Sequence, residues 1–355
     1  MAHSIKLDFA GQHFHVGLDV HKNRWSVSIY SEHFEHKTFS QPPRVDMLVK
    51  YLRRNFPGGT FHCVYEAGFC GYWIAEQLEQ HGIDCVVVHP ADIPTKSKER
   101  TNKSDRVDCR KLARSLRNGD LKGIFVPSRD HLEDRHLLRT RRSTVKKQTR
   151  CKNQIKALLH FYGIEIPPDF ANSYWSARFI RWIESIPMRR PSGQAALAMH
   201  LQELHHLRQI ISVLNKEIRQ LSRSEHYGHR VRLLRSIHGI STLSAMTLLT
   251  ELVDIKRFPS LDKLASFVGL VPSIHASGER EYVRGMTCRR SAILRSILIE
   301  SAWVAVRKDP ALMMAHQRLS QRSTKTKAIV PIARKLLNRI RYVLNNNEEY
   351  VSAHV

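Results

Sequence analysis

Strand-like and helix-like segments alternate in a fixed order over the first 120 residues, and this order constrains the fold most strongly. Residues 14–19 and 25–30 alternate apolar and polar side chains, which is typical of half-buried strands. Residues 60–65 are β-rich, and residues 83–89 form an apolar run typical of a buried parallel strand. A third short strand and three helices are predicted at 33–39, 45–56, 72–81 and 104–117. The order β-β-β-α-β-α-β-α predicts a mixed sheet with helices outside it, an α/β domain over residues 1–128.

The chain changes character over residues 129–228, which we predict to be a basic helical or coiled-coil region. Residues 131–160 are predicted to form one long helix rich in Arg and Lys. Farther on, apolar residues recur at steps of three and four: Leu197, Leu201, Leu204, Ile211, Leu214, Ile218 and Leu221. This spacing predicts a heptad-like seam. Two interpretations stay open: pairing with another helix, within or between chains, or packing of the helix on its own domain.

Residues 229–355 are predicted to form a third, mostly helical domain, so the expected fold class is α/β plus mainly α. It contains a Gly-containing loop region at 269–285 and a final helix near 331–344. Residues 236–241, followed by a helical run, are similar to a helix-hairpin-helix, in which N–H groups at a helix start hold a DNA phosphate. Ser241 stands at the position where that motif usually has a third small residue, glycine.

The chain carries a large surplus of positive charge. Lys and Arg number 57 against 32 Asp and Glu, a formal net charge of +25. This surplus predicts a polyanionic partner, nucleic acid first and an anionic membrane surface second. The candidate phosphate contacts lie in the long helix, after the Gly-containing loop and in the final helix: Arg141, Arg142, Lys146, Lys147, Arg280, Arg284, Arg289, Arg334 and Lys335.

Hydropathy and cysteine usage argue against a membrane or secreted protein. No apolar run approaches the roughly 18 residues needed to cross a bilayer, and the first residues lack a signal-peptide hydrophobic stretch. The 6 cysteines are scattered without a Cys-x-x-Cys pair. That usage suits a reducing compartment and argues against a disulfide framework or a structural zinc site. We therefore expect a cytoplasmic protein directed to nucleic acid.

Four carboxylates are predicted to meet at one edge of the first domain's sheet. Asp19 ends the first strand and Glu66 follows the fourth, while Asp105 and Asp108 share one face of the last helix. Each alone is more often a turn, cap or first-turn residue. Together they cannot all ionise side by side without a cation. The pattern therefore predicts bound Mg²⁺ or Mn²⁺, and two ions about 4 Å apart clamp a phosphodiester during in-line attack.

Ser277 is a candidate of a different kind, in the Ala-Ser-Gly segment 276–278. Ser-Gly is common turn chemistry. The functional interpretation is a serine hydroxyl that attacks a phosphodiester while Arg280 and Arg284 neutralise the developing charge. His275 is a candidate base, although a solvated loop histidine is the simpler interpretation.

These motifs together resemble those of a known family. Residues 17–22, 65–66 and 103–108 look like the DEDD signature of a RuvC-like domain. The segments 269–272, 276–278, 284–285 and 333–337 look like the transposase domain that follows it. The chain therefore resembles the DEDD transposases of bacterial insertion sequences, known as bridge-RNA-guided recombinases and related to Piv-type invertases. The match covers nearly the whole chain, with the order and spacing of both blocks intact.

The resemblance implies a fold and a mechanism. The first domain would have the RNase H-like fold, with Asp19, Glu66, Asp105 and Asp108 holding Mg²⁺. Ser277 would attack double-stranded DNA and form a transient phosphoserine linkage. A structured noncoding guide RNA would pair with donor and target DNA. The protein would be bacterial and nucleoid-associated, and would assemble as a tetramer of two dimers whose active sites combine domains of different subunits.

The sequence departs from the family pattern at two positions, and two other functions stay open. Cys109 stands where the family usually has alanine, and Ala276 where many members have another small polar residue, so Ser273 is an alternative nucleophile. One alternative function is a Piv-like invertase or junction resolvase that recognises DNA without a guide RNA. The other is a nucleic-acid-binding protein whose acidic cluster is structural, in which Asp105→Ala or Ser277→Ala would leave the activity unchanged.

Overall fold

A computed structural model describes residues 8–94, 105–170, 175–277, 280–286 and 291–351, with the backbone alone for 272–286. The chain divides into two compact units, Met1–Val126 and Pro127–Val355. The predicted boundary near residue 128 lies close to this division. The boundary predicted at 228/229 falls inside the second unit, where it stays a prediction.

The first unit is built on a five-stranded mixed sheet with the order β3-β2-β1-β4-β5. Its strands are β1 His13–Val20, β2 Trp25–Tyr30, β3 Glu35–Gln41, β4 Thr60–Glu66 and β5 Asp84–Val88. Strand β1 pairs antiparallel with β2 and parallel with β4, and β4 pairs parallel with β5. The predicted order of strands and helices is confirmed. Helices follow it in the second unit, an arrangement consistent with an RNase H-like DEDD domain.

Helices lie on both faces of this sheet: α1 Val45–Asn55, α2 Trp73–Gln80 and α3 Asp105–Arg117. Helix α1 buries Val45, Leu48, Val49 and Leu52, the spacing of an apolar helix face. That face shares a core with Phe14, Val16 and Leu18 of β1. Helix α3 packs against β1 and β2, on the face of β1 that carries Gly17. Helix α3 starts at Asp105, close to Asp19 near the end of β1.

The second unit begins with a helical hairpin. Helix α4 Arg129–Phe161 and helix α6 Pro191–Leu221 pack together, with α5 Ala177–Glu184 beside them. The two long helices run antiparallel, since Arg141 contacts Asn215 and Cys151 contacts His200. Leu197, Leu201, Leu204 and Leu207 of α6 are buried in the core that they share with α4 and α5. The apolar seam therefore pairs with a helix of its own chain.

The rest of the second unit surrounds another core. Its elements are α7 Glu225–Arg235, α8 Thr242–Leu252, α9 Leu261–Val268, β6 Pro272–Ser277, β7 Arg280–Met286, α10 Ala292–Ala305, α11 Pro310–Ser320 and α12 Lys325–Asn346. Strands β6 and β7 form an antiparallel pair where the sequence predicted a loop. Glycine and proline marked the turns there, but the residues between them extend and pair. Helix α12 starts six residues before Pro331, which lies inside it rather than at its start.

Candidate metal centre and nucleic-acid interface

Gly17 allows helix α3 to pack directly on strand β1. It is buried, and a Cβ atom there would overlap the carbonyl oxygen of Cys109 and lie 2.5 Å from the backbone nitrogen of Ala113. Residues i and i+2 of a strand point to the same face, so Asp19 faces the side on which α3 packs. The close packing brings the first turn of α3, which starts at Asp105, to the end of β1.

Asp19, His21 and Asp105 form a compact cluster at this edge. One ligand atom from each of the three lies within 4.8 Å of the others. His21 Nε2 is 3.1 Å from Asp19 Oδ2 and 3.6 Å from Asp105 Oδ1. Arg24 donates to Asp105 Oδ2 over 3.2 Å. Two of the four predicted carboxylates therefore meet, together with two basic side chains.

The electrostatics of Asp19 favour an added cation. Burial raises the pKa of Asp19, and the Asp105 and Asp108 carboxylates raise it too, while His21 opposes the rise. A raised pKa means that the surroundings of Asp19 do not fully stabilise the negative charge of its ionised carboxylate. A divalent cation supplies the missing positive charge, and carboxylate oxygens are the donors that Mg²⁺ and Mn²⁺ prefer. The residues present therefore fit such an ion.

Glu66 and Asp108 lie beside this cluster. Strands β1 and β4 run parallel with Leu18 paired to Tyr65, so Asp19 and Glu66 follow side by side at the ends of the two strands. Asp108 is one turn beyond Asp105 on α3 and acts on the charge of Asp19. Neither joins the closest group of ligand atoms in the described part of the chain. That all four hold metal stays a prediction.

His21 and Arg24, which lie between the first two strands, belong to the site although neither was predicted as a site residue. The connection between β1 and β2 lies at the edge where β1 ends, and His21 N–H donates to the carbonyl of Arg24 within it. The turn thereby returns over the first turn of α3. The signal that sequence reasoning passed over was an Asp-x-His at a strand end, followed by an arginine in the same turn.

Ser277 is the last residue of β6, where it pairs with Arg280 at the start of β7. Arg284 pairs with Ser273 in the same hairpin. The backbone thus places the predicted nucleophile at one end of a two-stranded sheet, directly paired with an arginine. Gly278 and Arg289 lie outside the described residues, as do Lys103 and Ser104 of the predicted DEDD motif.

The four predicted phosphate contacts of helix α4 differ in their surroundings. Arg141 donates to Asn215 Oδ1 over 2.6 Å and is engaged within the hairpin. Arg142 and Lys146 line a cleft of about 300 Å³ whose other lining includes Leu138, Val145, Leu243 and Ile297. Lys147 is exposed. Arg141 lines the same cleft, but unlike the other three it has a hydrogen-bond partner among the described residues.

The two predicted phosphate contacts of helix α12, Arg334 and Lys335, also differ in their surroundings. Arg334 forms an ion pair with Asp262 of α9. Arg334 and Lys335 both line a cleft of about 570 Å³ that also contains Pro331. Only Lys335 of this pair has no acidic partner among the described residues.

No helix within the residues that the structure describes has an apolar stretch long enough to cross a bilayer.

Carboxylates that fit a divalent cation, in a chain with a formal net charge of +25, are typical of enzymes that act on nucleic-acid phosphodiesters. Comparison with protein families agrees. Residues 16–164 match a DEDD transposase domain, described as a transposase, and residues 231–317 match the transposase IS116/IS110/IS902 family. The first match includes all four predicted carboxylates, and the second includes Ser277.

The individual relatives that are similar to this chain are named as transposases or as pilin gene-inverting proteins. “Putative transposase y4qE” of Sinorhizobium fredii is 32% identical over 292 residues, 81% of this chain and 70% of the relative. The transposase for insertion sequence element IS1533 of Leptospira borgpetersenii is 26% identical, covering 81% and 84%. A pilin gene-inverting protein of Moraxella lacunata is 25% identical, covering 95% and 97%. The chain belongs to the IS116/IS110/IS902 family of insertion-sequence transposases and is a DNA transposase or recombinase.

Proposed function

We propose that this transposase cuts and rejoins DNA strands by a divalent-cation-assisted reaction in which Ser277 becomes transiently linked to DNA. The observation that carries the proposal is the convergence of Asp19 and Asp105 at the sheet edge, with the pKa of Asp19 raised. Asp19, Glu66, Asp105 and Asp108 would hold the ion, with Mg²⁺ first and Mn²⁺ as the alternative. When bound, it supplies positive charge beside the scissile phosphate.

In the proposed serine step, Ser277 Oγ forms a bond to phosphorus while the bond from phosphorus to a deoxyribose oxygen breaks. The serine proton leaves to a base, and the departing oxygen takes up a proton. The linkage between serine and DNA is itself a phosphodiester, so no bond energy is lost. A hydroxyl of another strand can therefore attack the same phosphorus, which joins the strands and restores Ser277. Arg280 and Arg284, on the paired strand, are proposed to neutralise charge on the phosphate.

The resemblance to bridge-RNA-guided recombinases extends this proposal to partners. A structured noncoding RNA would select donor and target double-stranded DNA by base pairing, and four chains would assemble as a dimer of dimers. The surplus of +25 charges supports a large polyanionic partner. We further propose that residues 229–355 act as the serine-containing transposase domain.

A second candidate is a site-specific invertase that recognises DNA without RNA. The observation that favours it is the similarity to two pilin gene-inverting proteins of Moraxella, one along nearly its whole length. Sequencing the RNA that copurifies with the protein, expressed with its native flanking DNA, separates the two. One abundant structured RNA supports guidance, and random fragments favour the invertase.

The metal assignment is tested with Asp19→Asn and Asp105→Asn. Both variants should lose Mg²⁺-dependent strand exchange, because each removes a carboxylate from the cluster. Asp120→Asn, an exposed carboxylate outside it, is the control. Full activity of either cluster variant contradicts the assignment.

The serine assignment is tested with Ser277→Ala. The variant should form no covalent protein–DNA adduct in a denaturing gel while nucleic-acid binding stays nearly intact, because only the nucleophile is removed. Ser273→Ala is the matched control from the other end of the same strand. An undiminished adduct with Ser277→Ala excludes this residue, and loss with Ser273→Ala alone moves the assignment to Ser273.

A further inference from the structure

A concentration of positive charge lies on elements of the second unit that the proposed reaction does not use. A cleft of about 560 Å³ lies between the end of helix α6, helix α7 and the start of helix α8. Four arginines line it, and we call it the arginine cleft: Arg219, Arg223, Arg232 and Arg235. Glu349 is the acid of its lining, so four positive charges against one negative charge leave a formal charge of +3.

These four arginines differ from arginines of this unit that have an acidic partner. Arg139 pairs with Glu251, and Arg339 pairs with Asp309 over 2.6 Å. By contrast, all four side chains of the arginine cleft are exposed, and none has an ion-pair partner among the described residues. Like charges gathered without partners repel one another. An anion that enters the cleft relieves this repulsion.

The backbone around the arginine cleft adds donors and room. Arg232 and Arg235 are three residues apart on α7, on the face that also carries Gly228. Gly228 has no side chain to occupy the cleft. Thr242, the first residue of α8, lines the cleft as well. The first N–H groups of a helix have no intrahelical acceptor and carry partial positive charge.

The turn that joins α7 to α8 is fixed in place. Gly239 has φ of +91°, and a Cβ atom there would overlap the carbonyl oxygen of Ser301 on helix α10. Ser241 accepts a hydrogen bond from Ser244 N–H and caps α8. The start of α8 therefore holds a defined orientation towards the arginines of α7.

We propose that the arginine cleft binds a backbone phosphate of nucleic acid. Guanidinium groups donate paired hydrogen bonds to phosphate oxygens, and a cleft of about 560 Å³ has room for a phosphate group. DNA and RNA offer the same phosphodiester. The proposal concerns binding alone, and neither Ser277 nor the acidic cluster takes part in it.

The test measures equilibrium binding of the full chain by fluorescence anisotropy over a series of salt concentrations. The probes are a random-sequence DNA duplex and an RNA hairpin of the same number of base pairs. Arg232→Gln/Arg235→Gln should weaken binding of at least one probe by about tenfold or more. The slope of log K against log salt should fall by about 0.9 for each DNA phosphate that the variant no longer neutralises.

Three further variants distinguish a site from general charge attraction. Arg189→Gln/Arg190→Gln removes two exposed arginines elsewhere in the same unit and should have a clearly smaller effect. Gly228→Leu fills the cleft without changing charge and should weaken binding, whereas Gly228→Ala should not, since its Cβ atom meets no neighbour closer than 3.4 Å. Glu349→Gln should tighten binding because it removes the negative charge of the lining.

Each outcome decides the proposal. Weaker binding of the duplex supports a DNA phosphate, and weaker binding of the hairpin alone supports an RNA phosphate. Equal losses for the Arg232/Arg235 and Arg189/Arg190 variants, with no effect of Gly228→Leu, overturn it. Because strand exchange is not the readout, failure of the Ser277 or metal assignments leaves this result unchanged.

Discussion

A single missing side chain determines how closely helix α3 approaches the sheet. At Gly17, the backbone atoms of Cys109 and Ala113 occupy the space where a Cβ atom would stand. The obstacle is backbone rather than the end of a flexible side chain, so it cannot move aside locally. Any larger residue must displace the helix that carries Asp105.

Gly17→Ala should therefore affect both stability and activity. We expect a loss of about 1–3 kcal/mol in the free energy of unfolding, the usual cost of overpacking, and a larger fractional loss of strand exchange because Asp105 moves from Asp19. Urea unfolding and a strand-exchange assay measure the two. Gly193→Ala is the control, since its Cβ atom would meet only side-chain atoms of Met188, the nearest of them at 3.3 Å. Wild-type activity in Gly17→Ala would show that the packing does not position the site.

Asp309 is a buried carboxylate with a structural role. It is 1% exposed and accepts hydrogen bonds from Arg339, at 2.6 Å, and from Leu312 N–H, at 2.9 Å. Burial alone would raise the pKa of Asp309, but the bonds from Arg339 and Leu312 outweigh it and hold the pKa below its ordinary 3.8. A depressed pKa contributes stability above the unfolded value that is lost as pH falls through the folded value.

Asp309→Asn should destabilise the second unit by about 3–5 kcal/mol at neutral pH, because it leaves the Arg339 charge without its partner. The wild type should lose part of its unfolding free energy as pH falls below about 3.8, and the variant should lack that part. Urea unfolding between neutral pH and pH 3 measures both. Parallel pH profiles for the two proteins would contradict this role of Asp309.

At the scale of elements, the sequence was most informative where hydrophobic periodicity was strong. The first two strands follow from alternation, the last strand of the sheet from its apolar run, and α1 from its apolar face. The hairpin of β6 and β7 was missed because glycine and proline mark turns without revealing the pairing between them. The pairing of Asp19 with His21 depends on a turn that folds back in space, which local patterns do not encode.

In helix α4, the number of Arg and Lys residues overestimates how many of them are free to contact nucleic acid. Arg135 donates to the Thr250 carbonyl over 2.8 Å, and Arg139 holds Glu251 with two hydrogen bonds. Together with Arg141, these arginines attach the helix to its own unit. The sequence could not separate them from arginines that face solvent, since the partners are more than 70 residues away.

The available side chains of α4 define a sharper test of nucleic-acid binding. Arg142→Gln/Lys146→Gln/Lys147→Gln should weaken DNA binding and lower the salt slope by about 0.9 for each phosphate left without its cation. Arg141→Gln should instead lower the melting temperature with little change in slope, because its guanidinium contacts Asn215. An unchanged slope in the triple variant would mean that this face of the helix only contacts solvent.

At the scale of the whole molecule, the apolar seam of α6 packs against helices of its own chain. Leu197 and Leu204 are buried against the hairpin core, so a tetramer must be held by other surfaces. Met199 and Val213 of the same helix are each 60% exposed and are apolar residues left for such contacts.

The proposed tetramer predicts that the protein part of the nucleic-acid complex has a mass near four times 41.1 kDa, once the mass of the nucleic acid is subtracted from the sedimentation mass. Met199→Glu/Val213→Glu should reduce that protein mass if α6 forms the interface, because burying carboxylates costs free energy. A wild-type complex with a protein mass near 41.1 kDa would exclude the tetramer.

Arg24 and His21 are hydrogen-bond partners of the two carboxylates at the acidic edge. Asp105 already has a guanidinium 3.2 Å away, and Asp19 has an imidazole 3.1 Å away. We therefore expect a chelator to abolish strand exchange while leaving the melting temperature nearly unchanged, because the pairing of Arg24 with Asp105 needs no ion. On the proposed mechanism, folding and metal binding are separate events, and a bound ion would replace Arg24 and His21 as the partner of the two carboxylates.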